Sequence, residues 1–414
     1  MQSRQVGAAG RALAACLALV LAAVPLRAAE RARRFAHAQG REIVGPDGAP
    51  LRLKGIGLGN WLLPEGYMFG FHKGATSPRQ IQELFAELVG PDEARDFWTK
   101  FRDAWVSRDD IRFLKRVGFD SVRVPFNYRL LTPEDEPGTW RPEGFARLDD
   151  VVAWSRAEGL WVVLDMHGAP GGQTGRNIDD GWGHPWLFES EESQARTVAI
   201  WRKLAERYRD EPAVLGYDLL NEPLPNGYEA LNERLEPLYR RLVAAIREVD
   251  PGHLVFLGGA RWDTDFSVFG SPFDPNLAYT FHKYWNQTDD ASIQSFLQFR
   301  EGHGVPIWLG ESGENDESWI EACVRLMDRH GIGWCFWPYK KMDSTRGVVS
   351  VARPAYWDEV VAYAEKRGAD FEANARIRPP LAHARQALAE LLEKSRLGNA
   401  RVNEGYLRAL GLHP

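Results

Sequence analysis

Trp161-Val162-Val163-Leu164-Asp165-Met166-His167 is a short, mostly apolar run that closes on polar residues. A stretch rich in Gly, Trp, Asp and His follows at 168–190, and then Ala195, Val198, Trp201, Leu204 and Tyr208 recur at spacings of three and four. The run reads as a strand buried on both faces, and the spacing puts one apolar stripe on a helix. Strand, loop and helix form one unit, and that unit repeats. Strand-like runs occur at 55–62, 121–127, 161–167, 214–221, 254–259, 277–284, 306–311 and 333–337. Amphipathic helices lie between them, clearest at Leu231, Leu235, Leu238, Leu242, Ile246 and Val249. Strand then helix, eight times over, is the count for a closed (β/α)₈ barrel of class α/β.

No linker or low-complexity run interrupts the eight units, so we expect one catalytic domain at 30–367. A long insertion after the first strand carries helical stretches near 78–89 and 92–116. With the 168–190 loop it should wall a cleft, because segments after the strands form the catalytic face of a barrel. A helix near 381–394 belongs to a C-terminal extension, 368–414, expected to pack on the barrel's outside.

Arg4 and Arg11 precede an apolar run from Ala12 to Leu26, followed by Ala28 and Ala29. This is the pattern of a secretory signal cleaved near residue 29, too short for a permanent span. Leu13-Ala14-Ala15-Cys16 resembles a lipoprotein box, but the apolar run continues well past Cys16. A secreted or periplasmic location is the expectation. Lys and Arg number 51 against 57 Asp and Glu, a formal charge of −6. That balance gives no electrostatic footing for nucleic acid. Cys323 and Cys335, the two cysteines beyond the signal, make no disulfide framework and have no zinc-ligand spacing, so buried free thiols are expected.

Arg123, His167, Asn221 with Glu222, His282 with Tyr284, Glu311 and Trp337 stand at or near the ends of successive strands. A structural hydrogen bond or a turn would explain any one alone. Core packing does not require all of them at one end of a barrel. Glu222 and Glu311 close the fourth and seventh strands, so both can point into one cleft from opposite sides. Cleaving a glycosidic bond with retention needs such a pair, one carboxylate to attack and one carboxyl to protonate the leaving oxygen.

The segments Ser121-Val122-Arg123-Val124-Pro125, Asp165-Met166-His167-Gly168-Ala169-Pro170-Gly171, Leu220-Asn221-Glu222-Pro223, Phe281-His282-Lys283-Tyr284, Leu309-Gly310-Glu311-Ser312 and Cys335-Phe336-Trp337 resemble glycoside hydrolase family 5, the cellulase-like retaining β-glycosidases. The His-Gly-Ala-Pro-Gly stretch and Gly55-Ile56-Gly57-Leu58-Gly59-Asn60-Trp61 are similar to its exo-1,3-β-glucanase branch. Residues 58–61 and 171–175 depart from that branch's wording, so its linkage preference does not carry over. The resemblance makes Glu311 the nucleophile and Glu222 the general acid/base. Arg123 and Tyr284 would hold Glu311, and Asn221 would bind the sugar's 2-hydroxyl. His282 would adjust Glu222, while His167 and Trp337 would line the cleaved sugar's site.

The substrate class is then a β-glucan or β-glucoside, with no metal and no organic cofactor. Trp61, Trp182, Trp186 and Trp285 are candidate sugar platforms or packing residues. Asn177, Asp179 and Asp180 could bind hydroxyls or fence the cleft, and Lys340, Lys341 and Asp343 could reach sugar hydroxyls. Glu314, Asp316 and Glu317 read as acids serving a helix N-terminus. An esterase would need Gly-x-Ser-x-Gly and a metallopeptidase His-Glu-x-x-His, and neither occurs. A transglycosylase, or a barrel that only binds polysaccharide, remains an alternative.

Overall fold

In the computed structural model, which describes residues 35–414, eight parallel strands close into a barrel. A small antiparallel hairpin precedes it, β1 (His37–Gln39) with β2 (Glu42–Val44). The barrel strands are β3 (Lys54–Gly57), β4 (Ser121–Asn127), β5 (Trp161–Gly168), β6 (Val214–Asp218), β7 (Leu254–Gly258), β8 (Leu277–Lys283), β9 (Ile307–Gly313) and β10 (Trp334–Trp337). Closure is made by β10 beside β3, with Cys335 opposite Gly55 and Phe336 opposite Ile56. The expected first strand is shorter than its apolar run, because the chain leaves the sheet after Gly57 and returns only at a bridge from Leu62 to Phe126. The expected signal segment lies outside the described residues.

Inside the barrel the side chains form layers. At the N-terminal end Val163, Leu215, Phe256, Trp308 and Cys335 meet Ala36 and Ile43 of the hairpin region, which closes that end. Above them, at mid-barrel, lie the charged side chains of Arg123, Asp165 and Asp218, all fully buried. The second, larger apolar core fills the space between sheet and helices.

Two β-bulges decide what faces inward. Trp308 points into the barrel, so strict alternation would send Glu311 outward. The register on both neighbours of β9 slips by one residue around Gly310, and this turns Glu311 into the cleft. A similar slip where β6 pairs with β5 turns Asp218 inward after Leu215.

The insertion after β3 is two helices, Pro78–Val89 and Pro91–Trp105, followed by the first barrel helix, Arg108–Val117. The expected 92–116 stretch breaks at Ser107, which forms a capping box with Asp110 and so starts a new helix. The helix Leu381–Ser395 packs on the two insertion helices rather than directly on the sheet, burying Ala384, Ala387 and Leu391. The chain then runs back to the barrel mouth. Arg401–Val402 pairs antiparallel with Val349–Val351, and Tyr406 donates a hydrogen bond to the Trp337 carbonyl at 3.2 Å. Among the described residues no helix is long and apolar enough to cross a membrane. Cys323 and Cys335 are buried free thiols, the latter inside the barrel as its parity with Trp337 implies.

Candidate active site

Arg123 is the hub. It sits at the third position of β4, one layer below the strand ends and not at an end itself. Its Nε donates to Asp218 at 2.9 Å, Nη2 to the Asn221 side-chain oxygen at 2.8 Å, and Nη1 to Glu311 at 2.6 Å. Asp165 lies 3.2 Å from Nη1. A buried guanidinium is tolerated only when paired in this way. Because its five donors are rigidly spaced, the hub fixes Glu311 and Asn221 relative to each other.

Glu311 receives a second bond from the Tyr284 hydroxyl at 2.8 Å, so both its oxygens are oriented. Across the cleft Glu222 adopts a left-handed backbone, φ 50°, just past β6. Its side chain is 15% exposed and meets His282 Nδ1 at 2.9 Å. Burial raises the Glu222 carboxyl to about 7, opposed in part by His167 and Arg123. One oxygen of each carboxyl group lies within 4.8 Å of the other. That is the separation of a nucleophile and an acid/base in double displacement, not the wider gap that leaves room for a water.

His167 and Trp337 form one side of the site. Their rings are parallel with centroids 5.6 Å apart. His167 Nδ1 is 2.8 Å from Asp165. Burial opposes a charge on His167, but Asp165, then Glu311 and Glu65, outweigh it and raise the imidazole to about 9. Trp337 lies across β3: a Cβ at Gly57 or Gly59 would fall 2.6 or 2.4 Å from its ring, so only glycine lets the indole lie there. Its Nε1 donates to the Tyr67 hydroxyl at 2.8 Å.

The cleft encloses about 640 Å³. His167, Glu222, His282, Tyr284, Glu311 and Trp337 line it, with Arg123 and Asn221 as supports beneath, so all eight candidate residues come together. Glu222, His282 and Glu311 bring donor atoms as close as a cation site would need. Those donors are already engaged, Glu311 by Arg123 and Tyr284 and His282 Nδ1 by Glu222.

Sequence reasoning missed several groups. Glu65, from the segment after β3, lines the cleft fully buried, and burial raises its carboxyl to about 8, followed by smaller effects of nearby charges. Gln173 ties the loop after β5 to the segment bearing Glu222: its amide nitrogen donates to the His167 and Asn221 carbonyls at 2.8 and 2.9 Å, and its oxygen accepts from Ala169 N–H. Strand parity marks Asp165 as inward, but a lone acid after a strand or a Gln in a loop carries no such signal.

Other candidates find different work. Trp61 is core, its indole N–H bonded to the Arg102 carbonyl. Trp285 is 69% exposed and lines the cleft, whereas Trp182 and Trp186 line a separate hollow with Ser193 and Arg196. Asp179 accepts three backbone N–H groups of its own loop, Asp180 pairs with Arg79 and Arg129, and Asn177 bonds the Thr76 carbonyl, so these three build the loop. Asp316 caps the helix Glu317–Arg329 as expected, with Glu317 in its first turn. Glu314 does not: it lines the cleft and pairs with Lys341, whose ammonium lies over the Tyr67 ring at 4.4 Å. Lys340 is buried against Asp110 and the Ser395 carbonyl, and Asp343 pairs with Arg353 away from the cleft, so neither reaches a sugar.

A closed barrel with two facing carboxyl groups over an arginine hub defines a glycoside hydrolase, and comparison with known proteins specifies which. The family model for cellulase, glycosyl hydrolase family 5, matches residues 90–343, more than half of the chain. The chain is similar to a β-xylosidase of Phanerodontia chrysosporium, 30% identical over 77% of this chain and 73% of that protein. Endoglucanase C of Acetivibrio thermocellus is 27% identical over 58% of this chain and 86% of its own length. A probable glucan 1,3-β-glucosidase A of Aspergillus clavatus is 31% identical over 63% and 64%. Among solved structures an endogalactoceramidase superposes with a TM-score of 0.60 at 20% identity, covering 91% of this chain and 84% of that one, a likeness of fold. The chain belongs to glycoside hydrolase family 5, a retaining family.

Proposed function

We propose that the protein is an exported β-glycosidase that cleaves β-glucosidic bonds of a glucan, oligosaccharide or glucoside by double displacement. The observation that carries this is the Glu222 and Glu311 pair, within 4.8 Å of each other and held in unlike environments. Glu311, oriented by Arg123 and Tyr284, attacks the anomeric carbon and forms the glycosyl-enzyme. Glu222 gives its proton to the departing oxygen, so that bond breaks without releasing an alkoxide. An incoming water then loses a proton to Glu222 as its oxygen bonds the anomeric carbon, and the bond to Glu311 breaks. Trp337 offers the sugar a flat apolar face. Asn221, held at its oxygen by Arg123, has its amide nitrogen 3.3 Å from His167 Nε2 and a second N–H for a sugar hydroxyl. Glu65, neutral up to about pH 8, can donate a hydrogen bond to another. The Arg-flanked apolar run at the N-terminus supports export.

The test is a product profile on β-1,3-, β-1,4-, β-1,6- and mixed-linkage glucans, glucomannan and aryl β-glucosides, with Glu311→Gln as the blank. Release of glucose or short oligomers by the wild type alone is expected. Products longer than the substrate would instead make it a transglycosylase, and full activity in Glu311→Gln would sink the assignment. Glu222→Ala should retain measurable first-step activity only on aryl glycosides whose leaving group needs no proton.

A further inference from the structure

Glu222 must hold a proton in one half of the reaction and lack it in the other, so what lies behind it matters. His282 Nδ1 is 2.9 Å from Glu222 Oε1. Burial pushes this imidazole down to about 3, so it is neutral and carries a single N–H. One nitrogen of the ring donates and the other accepts. On the far side Nε2 makes no hydrogen bond as it stands, and the polar atom it approaches is Asp263 Oδ2 at 3.3 Å, close enough that a small turn of either side chain would join them. The same Asp263 oxygen accepts the backbone N–H of Glu222 at 3.1 Å. Asp263 therefore touches the acid/base both through its main chain and through the histidine.

The backbone is bent to achieve this. Arg261, Trp262 and Asp263 have φ of 55°, 64° and 58°, three successive non-glycine residues in the left-handed region that L residues avoid. The turn is clamped to the segment bearing Glu222: Arg261 N–H donates to the Leu224 carbonyl at 2.8 Å, and its Nε to Asn226 at 3.3 Å. It also needs space at β7, where a Cβ at Gly258 would lie 2.1 Å from Asp263 Oδ1. Strain of this kind collects at functional sites.

We propose that Asp263 is a positioning residue that completes a chain Glu222–His282–Asp263, in which one proton is shared between the two carboxyl groups through the neutral imidazole. The inference rests on Glu222 being the acid/base. In one state Asp263 O–H donates to Nε2 and Nδ1–H donates to the Glu222 carboxylate. In the other, Asp263 has passed its proton to Nε2 and Nδ1 has passed its own to Glu222. Two protons move, the imidazole stays neutral and no outside donor is needed. Burial, then Asp218 and Glu222, raises Asp263 well above the ordinary carboxylate range, which suits a proton store. Asp218 on β6, Arg123 on β4 and Tyr239 on the helix Leu235–Arg247 face Asp263. Asp165 and His167 on β5 and Glu311 on β9 face His282.

The test is Asp263→Asn, close in shape to the native residue. An amide oxygen that keeps the Glu222 N–H can only accept from Nε2–H, which fixes one tautomer and favours protonated Glu222. The alkaline limb of kcat/KM should then move up by about one pH unit, and kcat should fall about tenfold where deglycosylation limits it. Nitrogen-15 spectra of histidine-labelled protein give a second readout, independent of turnover, with His282→Gln assigning the signals. His282 should populate both tautomers in the wild type and a single tautomer in Asp263→Asn. An unmoved alkaline limb, with His282 signals alike in both proteins, would overturn the proposal. Inactivity of the wild type on every glycoside alongside the expected spectra would instead overturn the reading of the enzyme and leave the chain standing.

Discussion

Glu222 and Glu65 are carboxyl groups that the fold keeps protonated for different ends. Glu222 ionises near 7, so the step that needs its proton should fail as pH climbs through that value; the alkaline limb of kcat/KM on substrates with poor leaving groups should lie there. With activated aryl glycosides that limb should flatten. Glu65 has a stability consequence. Its carboxyl is raised to about 8, while in the unfolded chain it ionises near ~4.3. The native state thus holds a proton that the unfolded state has lost between those values. The stabilisation is complete below the lower value and disappears as pH rises through about 8, on the order of a few kcal/mol. Glu65→Gln should therefore raise Tm relative to wild type near pH 9 and change it little near pH 4. Equal shifts at both pH values would show that Glu65 is not neutral in the native protein.

At the scale of elements, each carboxyl of the Glu222 and Glu311 pair depends on a segment held by something outside it. Gln173 bridges Ala169, His167 and Asn221, so the loop after β5 and the segment bearing Glu222 move as one. Gln173→Ala would leave a buried N–H and two buried carbonyls without partners, each worth about 1–3 kcal/mol. We expect lower Tm and a kcat loss on the order of tenfold, read by calorimetry and by turnover on a good aryl glycoside. Unchanged kcat would mean that the backbone holds this segment unaided. The bulge at Gly310 belongs to the same scale. Alternation along β9 counts Glu311 outward, and only pairing with both β8 and β10 reveals the extra residue.

Across the whole molecule the C-terminal extension is part of the barrel's support. Lys340 ties Asp110 to the Trp105 and Ser395 carbonyls, joining the segment after β10, the insertion and the tail helix. Leu388, Leu391, Tyr406 and Leu407 are buried in the main core. A chain ending at residue 370 should lose that apolar contact, leave Lys340 short of a partner and unfold cooperatively at a clearly lower temperature. Equal Tm in the shortened and full-length proteins would make the extension an appendage.

The architecture and the principal site residues were legible in the sequence. Period-two and period-3.6 patterns are local, and eight repetitions leave few topologies. A row of polar residues near successive strand ends also announces itself, and it includes Glu222, Glu311, Arg123, His167, Asn221, His282, Tyr284 and Trp337. What only the tertiary structure decided depends on contacts distant in sequence. Glu314 and Lys341 pair across two loops, and Asp263 reaches His282 through a left-handed turn that no local propensity favours. Glu65 is an ordinary acid in the sequence; the burial that keeps it neutral comes from the closed barrel mouth around it. Local periodicity determined which elements form, whereas bulges, strained turns and desolvation, which arise only when strands and loops meet, decided how the charged side chains face one another.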